Sequence, residues 1–446
     1  MSTQIIRPAR SLEGSLTIPG DKSISHRYAM LAGLAQGTTR LANFSTGADP
    51  RSSLACMEAL GATVLHKEDK TIEITGVAGA FRQPSAPLDC GNSGSTMRML
   101  SGLIASHPHT FTLLGDPSLT LRPMDRIRIP LSHMGAKIDL VDGHAPITIH
   151  GCPLHSIDFT TPIPSAQVKT AILFAGLQAE GTTSITESIR TRDHTEQALL
   201  AFGATLTRTY ARGLEDTAHG PNQPARLSIP GGQRLHAIDA TVPGDISSAA
   251  FFLCAALLFP DSNLVLDSLG MNPTRAALLD VIASLGGRIK VLAVEERHGE
   301  LIGTIQVNCD PAATPATAPF LISGALTAQL IDELPVLAAI APYTANGIII
   351  RDAQELRVKE SDRIALVAKN LRAMGAVFTE FPDGLEIPGN QSLHGATIDS
   401  GSDHRIAMAF AIAALRATGD TQILGAEAAS ISFPEFFSSL DSLALR

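Results

Sequence analysis

The feature that most constrains the fold is an internal repeat. Five segments share one pattern, in which a few apolar and polar residues are followed by Gly and a small residue. Each segment leads into a strand-like stretch. The segments are 57–62, 131–136, 199–204, 282–287 and 371–376. Gly is the usual residue just after a helix, because the backbone there often turns left-handed. Each copy therefore predicts the end of an amphipathic helix.

A second phrase alternates with the first. It is an Ala-rich, nearly all-apolar segment, then a Gly or Pro break, then a β-rich stretch, with breaks near Gly37, Pro108, Gly181, Pro260, Gly347 and Gly419. The breaks are roughly 70 to 85 residues apart, about one sixth of the chain. Helices that are apolar on every side should be buried. The chain thus predicts six β-α-β-α-β-β units.

Six units are too many for one hydrophobic core. We predict an α/β protein of two domains with three units each, residues 20–241 in one and residues 1–19 and 242–446 in the other. The chain would cross near 19–21 and 239–243. A single solenoid is the alternative, but the loops vary and the period is not strict.

Composition excludes several classes of function. The net charge of −9, the absence of Trp and the aromatic content of 4% argue against a nucleic-acid surface. Apolar segments such as 245–260 and 403–416 are too short or too polar to span a bilayer. The N-terminus lacks a signal pattern, which favours the cytoplasm. The five cysteines show neither C-x-x-C nor zinc spacing, so we expect reduced thiols and no metal.

The densest charge lies at 357–363, where seven residues carry five charges in a chain with 17% charged residues. Apolar residues follow at helical spacing, so a helix should begin near Glu360 or Ser361. Lys359 and Arg363 would then share a face. Converging cations with a carboxylate between them suit an anion whose proton must move. An ordinary solvated helix start explains the heptad alone equally well.

Polar residues also mark the starts of other predicted helices, where free backbone N–H groups favour anions. Capped turns and structural ion pairs are the alternative, and we assign Arg98 to such a pair; Pro123 fits a first helical position. The candidate ligand-binding residues at these starts are Lys22, Ser23, Arg27, Gly94, Arg122, Ser165, Gln167, Arg192, Asp332 and Arg405. If the two domains face each other, the cleft between them would hold enough positive charge to require phosphate- or carboxylate-bearing ligands.

These segments resemble the EPSP synthase family over the whole chain. The resemblance rests on seven motifs in order: PGDKSISHR (19–27), GNSGSTMR (91–98), LRPM (121–124), SAQ (165–167), DELP (332–335), RVKESDR (357–363) and DHRIAM (403–408). It implies the enolpyruvyl transferase fold, in which two domains of three inverse α/β units close over substrates. It also implies a monomer that needs no cofactor.

The resemblance implies transfer of the enolpyruvyl group of phosphoenolpyruvate to the 5-hydroxyl of shikimate 3-phosphate, with release of phosphate. Asp332 would accept the hydroxyl proton, and Glu360 with Lys22 would handle the methylene proton. Shikimate 3-phosphate would be held by Lys22, Ser23, Arg27, Ser165, Gln167, Arg192, Asp332 and Lys359. Phosphoenolpyruvate would be held by Lys22, Gly94, Arg122, Gln167, Arg363 and Arg405.

The chain departs from parts of the family. One branch of the family has Lys at the position of Ile431 and Asn at the position of Glu355. The family's Ser-Ser-Gln triplet has its second Ser at the position of Ala166. The run 191–196 is similar to the glyphosate-tolerant branch, yet Gly94 is retained where a tolerant member can carry Ala. Tolerance to glyphosate is therefore open.

Two rivals share the fold. The related transferase acting on UDP-N-acetylglucosamine uses a loop cysteine before the arginine that matches Arg122, and residues 115–121 contain none. A non-catalytic relative that only binds phosphorylated ligands is disfavoured, because Asp332, Lys359 and Glu360 are all present.

Overall fold

The computed structural model describes residues 2–210, 225–309 and 318–446. The chain divides into two compact units. The first unit comprises Gly20–Val242 and Arg297–Glu300, and the second comprises Met1–Pro19, Pro243–Glu296 and Leu301–Arg446. The division differs from the predicted domain boundaries at Val242 and at Arg297–Glu300, which group with the first unit and not with the rest of 242–446. One reason is that Glu300 Oε1 lies 2.7 Å from His194 Nδ1, and both side chains are buried.

The described helices are, in chain order, α1 (Lys22–Leu34), α2 (Ala48–Ala59), α3 (Gly94–Ile104), α4 (Pro117–Thr120), α5 (Asp125–His133), α6 (Ala166–Gly176), α7 (His194–Ala201), α8 (Ile246–Leu257), α9 (Ala277–Ser284), α10 (Gly324–Gln329), α11 (Leu334–Ile340), α12 (Arg363–Ala373), α13 (His404–Ala414) and α14 (Phe436–Leu443). Short 3-10 turns lie at Ala341–Tyr343, Gln354–Val358 and Ala426–Ile431. In the described part of the chain, no helix has the length and hydropathy needed to cross a bilayer.

The described strands are, in chain order, β1 (Thr3–Ile6), β2 (Ser11–Thr17), β3 (Thr38–Ala42), β4 (Thr63–His66), β5 (Ile72–Thr75), β6 (Leu88–Asp89), β7 (Thr110–Leu114), β8 (Lys137–Val141), β9 (His144–His150), β10 (Asp158–Thr160), β11 (Thr182–Glu187), β12 (Thr207–Tyr210), β13 (Ala225–Pro230), β14 (Asp239–Thr241), β15 (Asn263–Gly270), β16 (Gly287–Arg297), β17 (Glu300–Cys309), β18 (Phe320–Ile322), β19 (Ile348–Ile350), β20 (Thr379–Phe381), β21 (Gly384–Ile387), β22 (Thr397–Asp399), β23 (Thr421–Leu424) and β24 (Ala444–Leu445).

These strands form six sheets within the described residues. The first unit contains β14-β3-β5-β4, β6-β7-β9-β8 and β10-β11-β13-β12, and the second contains β16-β17-β15-β2-β24, β18-β19-β21-β20 and β1-β23-β22. One pattern recurs in all six: a parallel strand pair is followed by an antiparallel neighbour. In each parallel pair one strand follows a buried helix: β3 follows α1, β7 follows α3, β11 follows α6, β15 follows α8, β19 follows α11 and β23 follows α13. The repeat predicted from sequence is thus present as a structural unit.

Two parallel pairs join strands that are distant in sequence. β14 pairs with β3, so the first sheet of the first unit takes a strand from the end of that unit's chain segment. β2 pairs with β15 in the second unit, although more than two hundred residues of the first unit separate them. Strand pairing therefore ties the N-terminal segment to the C-terminal half of the chain.

Burial separates the helices into two kinds, as the sequence predicts. Helices α1, α3, α6, α8, α11 and α13 are buried along nearly their whole length. The glycines that end the predicted amphipathic helices, Gly61, Gly135, Gly203, Gly286 and Gly375, all have positive φ. Each unit thus wraps covering helices and sheets around three apolar helices, which form one hydrophobic core per unit.

Two predicted helix starts are wrong. Helix α12 begins at Arg363 with Asp362 as its cap, whose side chain accepts from the backbone N–H of Ala365, so Lys359 precedes the helix and does not share a helical face with Arg363. An Asp cap satisfies a free N–H at this point better than an earlier start would. Helix α5 begins at Asp125, which leaves Pro123 outside it.

Lys169 is a buried structural cation within the first unit. Its Nζ lies 3.0 Å from Glu187 Oε2 and 2.9 Å from Glu196 Oε1, and its side chain is 0% exposed. Burial opposes its charged form, but Glu196 and Glu187 outweigh this and raise the pKa of Lys169. The ammonium group thus bridges two buried carboxylates, and Arg208 Nη2, 3.3 Å from Glu196 Oε1, supplies a second positive charge.

We predict that Lys169→Met lowers the stability of the protein by about 3 kcal/mol or more, because removing one partner of a buried ion pair leaves uncompensated charge. Lys369→Met is the matched control, since the pair of Lys369 with Asp399 is largely exposed. Its loss should cost less than about 1 kcal/mol. Urea unfolding of both variants measures the difference, and equal midpoints would contradict the prediction.

Candidate active site

Helix α1 of the first unit begins with the candidate residues Lys22 and Ser23. Asp21 caps the helix by accepting from the backbone N–H of Ile24 at 2.9 Å. Lys22 Nζ lies 3.1 Å from Asp49 Oδ2 at the start of α2, and both side chains are largely buried. The ammonium group of Lys22 is therefore fixed at the N-terminal end of a buried helix.

Arg27, one turn further along α1, is a buried cation held by neutral oxygens. It is 3% exposed, and it donates from Nε to Thr195 Oγ1 at 2.6 Å, from Nη1 to the carbonyl of Ser23 at 2.8 Å and from Nη2 to Thr170 Oγ1 at 2.8 Å. No carboxylate of the described residues lies within ion-pair distance of it. Burial lowers the pKa of Arg27 to about 10, although the more distant carboxylates of Glu196 and Asp21 act in the opposite direction.

A buried polar network connects α1 to α3. His26 Nδ1 lies 2.7 Å from Ser53 Oγ, and Ser53 Oγ lies 2.9 Å from Thr96 Oγ1. Burial, together with Lys22 and Arg27, lowers the pKa of His26 well below its usual value. His26 is therefore a neutral hydrogen-bonding residue that joins the starts of two helices.

Gly94 opens α3 beside two arginines. A Cβ atom added at Gly94 would lie 3.2 Å from Arg122 Nη1 and 3.4 Å from Arg98 Nη1. Arg122 Nη2 donates to Asn92 Oδ1 at 2.9 Å, in the loop just before α3. Both guanidinium groups are largely buried. Gly94 therefore keeps open the space in which an anion could approach both arginines.

Arg98, for which the sequence predicts a structural ion pair, also contacts a candidate residue. It donates from Nη1 to Gln167 Oε1 at 2.7 Å. Gln167 Nε2 in turn donates to Ser95 Oγ at 2.9 Å. These bonds bring the candidate Gln167 of α6 to the start of α3. Ser165 caps α6 by accepting from the backbone N–H of Val168.

In the second unit the candidate residues converge on Arg363, which is almost fully buried. Its Nη2 lies 2.7 Å from Glu360 Oε2, its Nη1 lies 3.6 Å from Asp332 Oδ1 and its Nε donates to Asp403 Oδ2 at 2.8 Å. Burial opposes the charged form of Arg363, but Asp403 and Glu360 outweigh it and raise its pKa. The two proposed proton-transfer carboxylates are thus held by one arginine.

Lys359 completes this cluster although it lies outside α12. Burial lowers its pKa, Asp332 and Glu360 act in the opposite direction, and Arg363 lowers it further. Glu355, one of the departures from the family branch, also favours the charged form of Lys359. Lys359 therefore lies in the electrostatic field of both carboxylates.

Asp403 contacts Arg405, the last of the candidate residues in the second unit. It caps α13 by accepting from the backbone N–H of Arg405 at 2.8 Å, and it also accepts from Ser361 Oγ at 2.8 Å. The Arg405 guanidinium is buried, donates from Nη1 to the carbonyl of Ser247 at 3.1 Å and lies 5.9 Å from the Phe251 ring. Asp403 thus fixes the starts of α12 and α13 together, a role that its place in the 403–408 motif could have suggested.

Within residues 2–210, 225–309 and 318–446, no three His, Cys, Asp or Glu side chains are grouped as a metal site requires. What the geometry offers is buried cations at helix starts in the first unit, and a cation–carboxylate cluster in the second.

Comparison with known proteins decides the family. The family model for EPSP synthase (3-phosphoshikimate 1-carboxyvinyltransferase) matches residues 6–440. The chain belongs to the EPSP synthase family. It is 58% identical over 446 residues to a 3-phosphoshikimate 1-carboxyvinyltransferase from Koribacter versatilis, covering 100% of both chains. It is 50% identical to the enzyme of that name from Solibacter usitatus, covering 98% of this chain and 99% of the relative.

Solved structures agree with the family assignment. The fold is similar to that of an EPSP synthase from Acinetobacter baumannii, with a TM-score of 0.84, 36% identity, and coverage of 99% of this chain and 98% of that one. The predicted family, enzyme class and α/β enolpyruvyl transferase fold are therefore confirmed.

The position of Lys359 among the carboxylates gives a testable titration. Asp332→Asn removes a negative charge that favours the protonated amine, so the pKa of Lys359 should fall further. The pH at which Lys359 becomes reactive towards a small acylating reagent should therefore decrease. Peptide mass spectrometry of labelled protein measures this, with exposed Lys369 as the internal control. An unchanged Lys359 profile would show that Asp332 does not act on it.

Proposed function

We propose that the protein transfers the enolpyruvyl group of phosphoenolpyruvate to the 5-hydroxyl of shikimate 3-phosphate, and that the candidate residues above carry out this step. Shikimate 3-phosphate is held by Lys22, Ser23, Arg27, Ser165, Gln167, Arg192, Asp332 and Lys359. Phosphoenolpyruvate is held by Lys22, Gly94, Arg122, Gln167, Arg363 and Arg405. The names of the relatives support the reaction, and the geometry of each unit supports the assignments.

The observation that carries the proposal is the environment of Arg27. A buried guanidinium normally has a carboxylate partner, because an isolated charge in a low-dielectric interior is costly. Arg27 instead has only neutral oxygens as its hydrogen-bond partners among the described residues. An anionic substrate would supply the missing negative charge. Arg98 and Arg122 are two further largely buried cations, and they lie beside the open space at Gly94 where a second anion could bind.

The second unit supplies the proton-transfer groups. Asp332 accepts the proton of the 5-hydroxyl while the hydroxyl oxygen forms a bond to the enol carbon. Before this transfer, Lys359 and Arg363 stabilise the ionised carboxylate of Asp332. Glu360, assisted by Lys22, delivers a proton to the methylene carbon. The ionised Glu360 then takes a proton back from the same carbon as the C–O bond to phosphate breaks, so the double bond re-forms. The hydroxyl proton on Asp332 passes to the departing phosphate, which returns both carboxylates to their starting states.

Glu360 needs a change of partner to carry a proton. Arg363 lies 2.7 Å away and favours the ionised carboxylate. The carboxylate of phosphoenolpyruvate competes for the same guanidinium, so binding of this substrate weakens the Glu360 contact. Protonation of Glu360 is thereby coupled to the presence of the group that it must protonate.

We predict that purified protein releases phosphate from phosphoenolpyruvate only when shikimate 3-phosphate is present. A coupled phosphate assay with and without shikimate 3-phosphate checks this. Release with UDP-N-acetylglucosamine instead would identify the related transferase, and binding of both ligands without turnover would identify a non-catalytic relative. Action in the cytoplasm as a monomer is part of the proposal, and light scattering tests the monomer.

A second prediction separates binding from chemistry. Asp332→Ala and Glu360→Ala should still bind shikimate 3-phosphate but lose turnover by roughly 10²- to 10⁴-fold, the usual effect of removing a general acid or base. Asp441→Ala, which removes an exposed carboxylate, serves as the control. Steady-state kinetics and calorimetric titration give the two readouts. Near-normal kcat in either site variant would refute the role of that residue.

A further inference from the structure

Two threonines surround the buried guanidinium of Arg27, and neither belongs to the residues assigned above. Thr170 lies on the buried helix α6, and Thr195 lies in the first turn of α7. Both side chains are 0% exposed. Their hydroxyl oxygens lie 2.6 Å apart, with Thr195 2.6 Å from Arg27 Nε and Thr170 2.8 Å from Arg27 Nη2.

The direction of every hydrogen bond in this group follows from chemistry. Arginine has five N–H donors and no acceptor, so both hydroxyl oxygens must accept from Arg27. Thr170 Oγ1 also lies 2.6 Å from the carbonyl of Ala166, which can only accept, so the single proton of Thr170 is used there. The contact between the two hydroxyls therefore has Thr195 as the donor.

These hydrogen bonds occupy only part of the donor capacity of the Arg27 guanidinium. Thr195, Thr170 and the Ser23 carbonyl accept three of its five N–H groups. One N–H on each terminal nitrogen has no partner among the described residues. Two such groups can bind both oxygens of a carboxylate or a phosphate. The threonines thus fix the plane of the guanidinium without neutralising its charge.

We infer that Thr170 and Thr195 are positioning residues for shikimate 3-phosphate, acting through Arg27. An acidic partner would hold Arg27 as firmly, but it would compete with the anionic substrate for the guanidinium. Neutral hydroxyl acceptors hold the group and leave its charge available. This inference rests on the proposed function, in which Arg27 binds shikimate 3-phosphate.

The test uses isosteric variants of the full-length protein. Thr195→Val should weaken binding of shikimate 3-phosphate about tenfold, as expected for loss of a hydrogen bond to a charged group, and Thr170→Val at least as much because two donors lose their acceptor. Thr195→Ser should restore affinity. Thr183→Val is the matched control, since the Thr183 hydroxyl is buried without a partner in the described residues. The KM for phosphoenolpyruvate should stay within about twofold in all of them.

A double-mutant cycle shows whether the threonines act through Arg27. In an Arg27→Lys background, Thr195→Val should weaken binding less than about twofold further. An equal loss in both backgrounds would overturn the inference. If Arg27→Lys weakens binding but both valine variants bind normally, the inference is wrong and the proposed function stands. If Arg27→Lys binds shikimate 3-phosphate normally, the role assigned to Arg27 is wrong, and so is the inference about the threonines.

Discussion

The structure depends on the burial of helices that are apolar on every side. Such a helix must be covered all round, and one sheet with one helix cannot do this, so each unit packs three of them together within its sheets. The side chains along these helices are then committed to the core. Only their N-terminal ends, such as the start of α1 at Lys22 and of α3 at Gly94, offer free N–H groups and polar side chains. Polar groups that could bind a ligand are therefore concentrated near the helix starts.

The two units each contain a buried arginine, and the hydrogen-bond partners of the two arginines differ in charge. Arg363 is surrounded by carboxylates, with Glu360 at 2.7 Å and Asp403 at 2.8 Å, which favours its charged form and fixes the position of Glu360. Arg27 has neutral partners, and its pKa is lowered to about 10. The first arrangement gathers negative charge around the residues proposed for proton transfer. The second leaves positive charge available for an anion, and the role inferred for the threonines follows from that difference.

Much of the candidate site was predictable because its residues stand out at the starts of predicted helices. Lys22 and Arg405 each occur at the start of an all-apolar segment, where a charge needs an explanation, and Arg122 occurs just before an amphipathic helix. The contact of Arg98 with Gln167 could not be predicted, because it depends on how α3 and α6 pack. Asp49 gave no signal at all, since its pairing with Lys22 depends on how α1 and α2 pack, which sequence spacing does not reveal.

The sequence by itself determined the six repeats, the two kinds of helix and the placing of charged residues at helix starts, because apolar periodicity and glycine positions are local properties of the chain. Tertiary structure alone decided which groups meet. Lys359 joins Asp332 and Glu360 from outside a helix, and Thr195 reaches Arg27 across a long stretch of sequence. Such contacts depend on the packing of separate elements, and no local pattern encodes the distance between them.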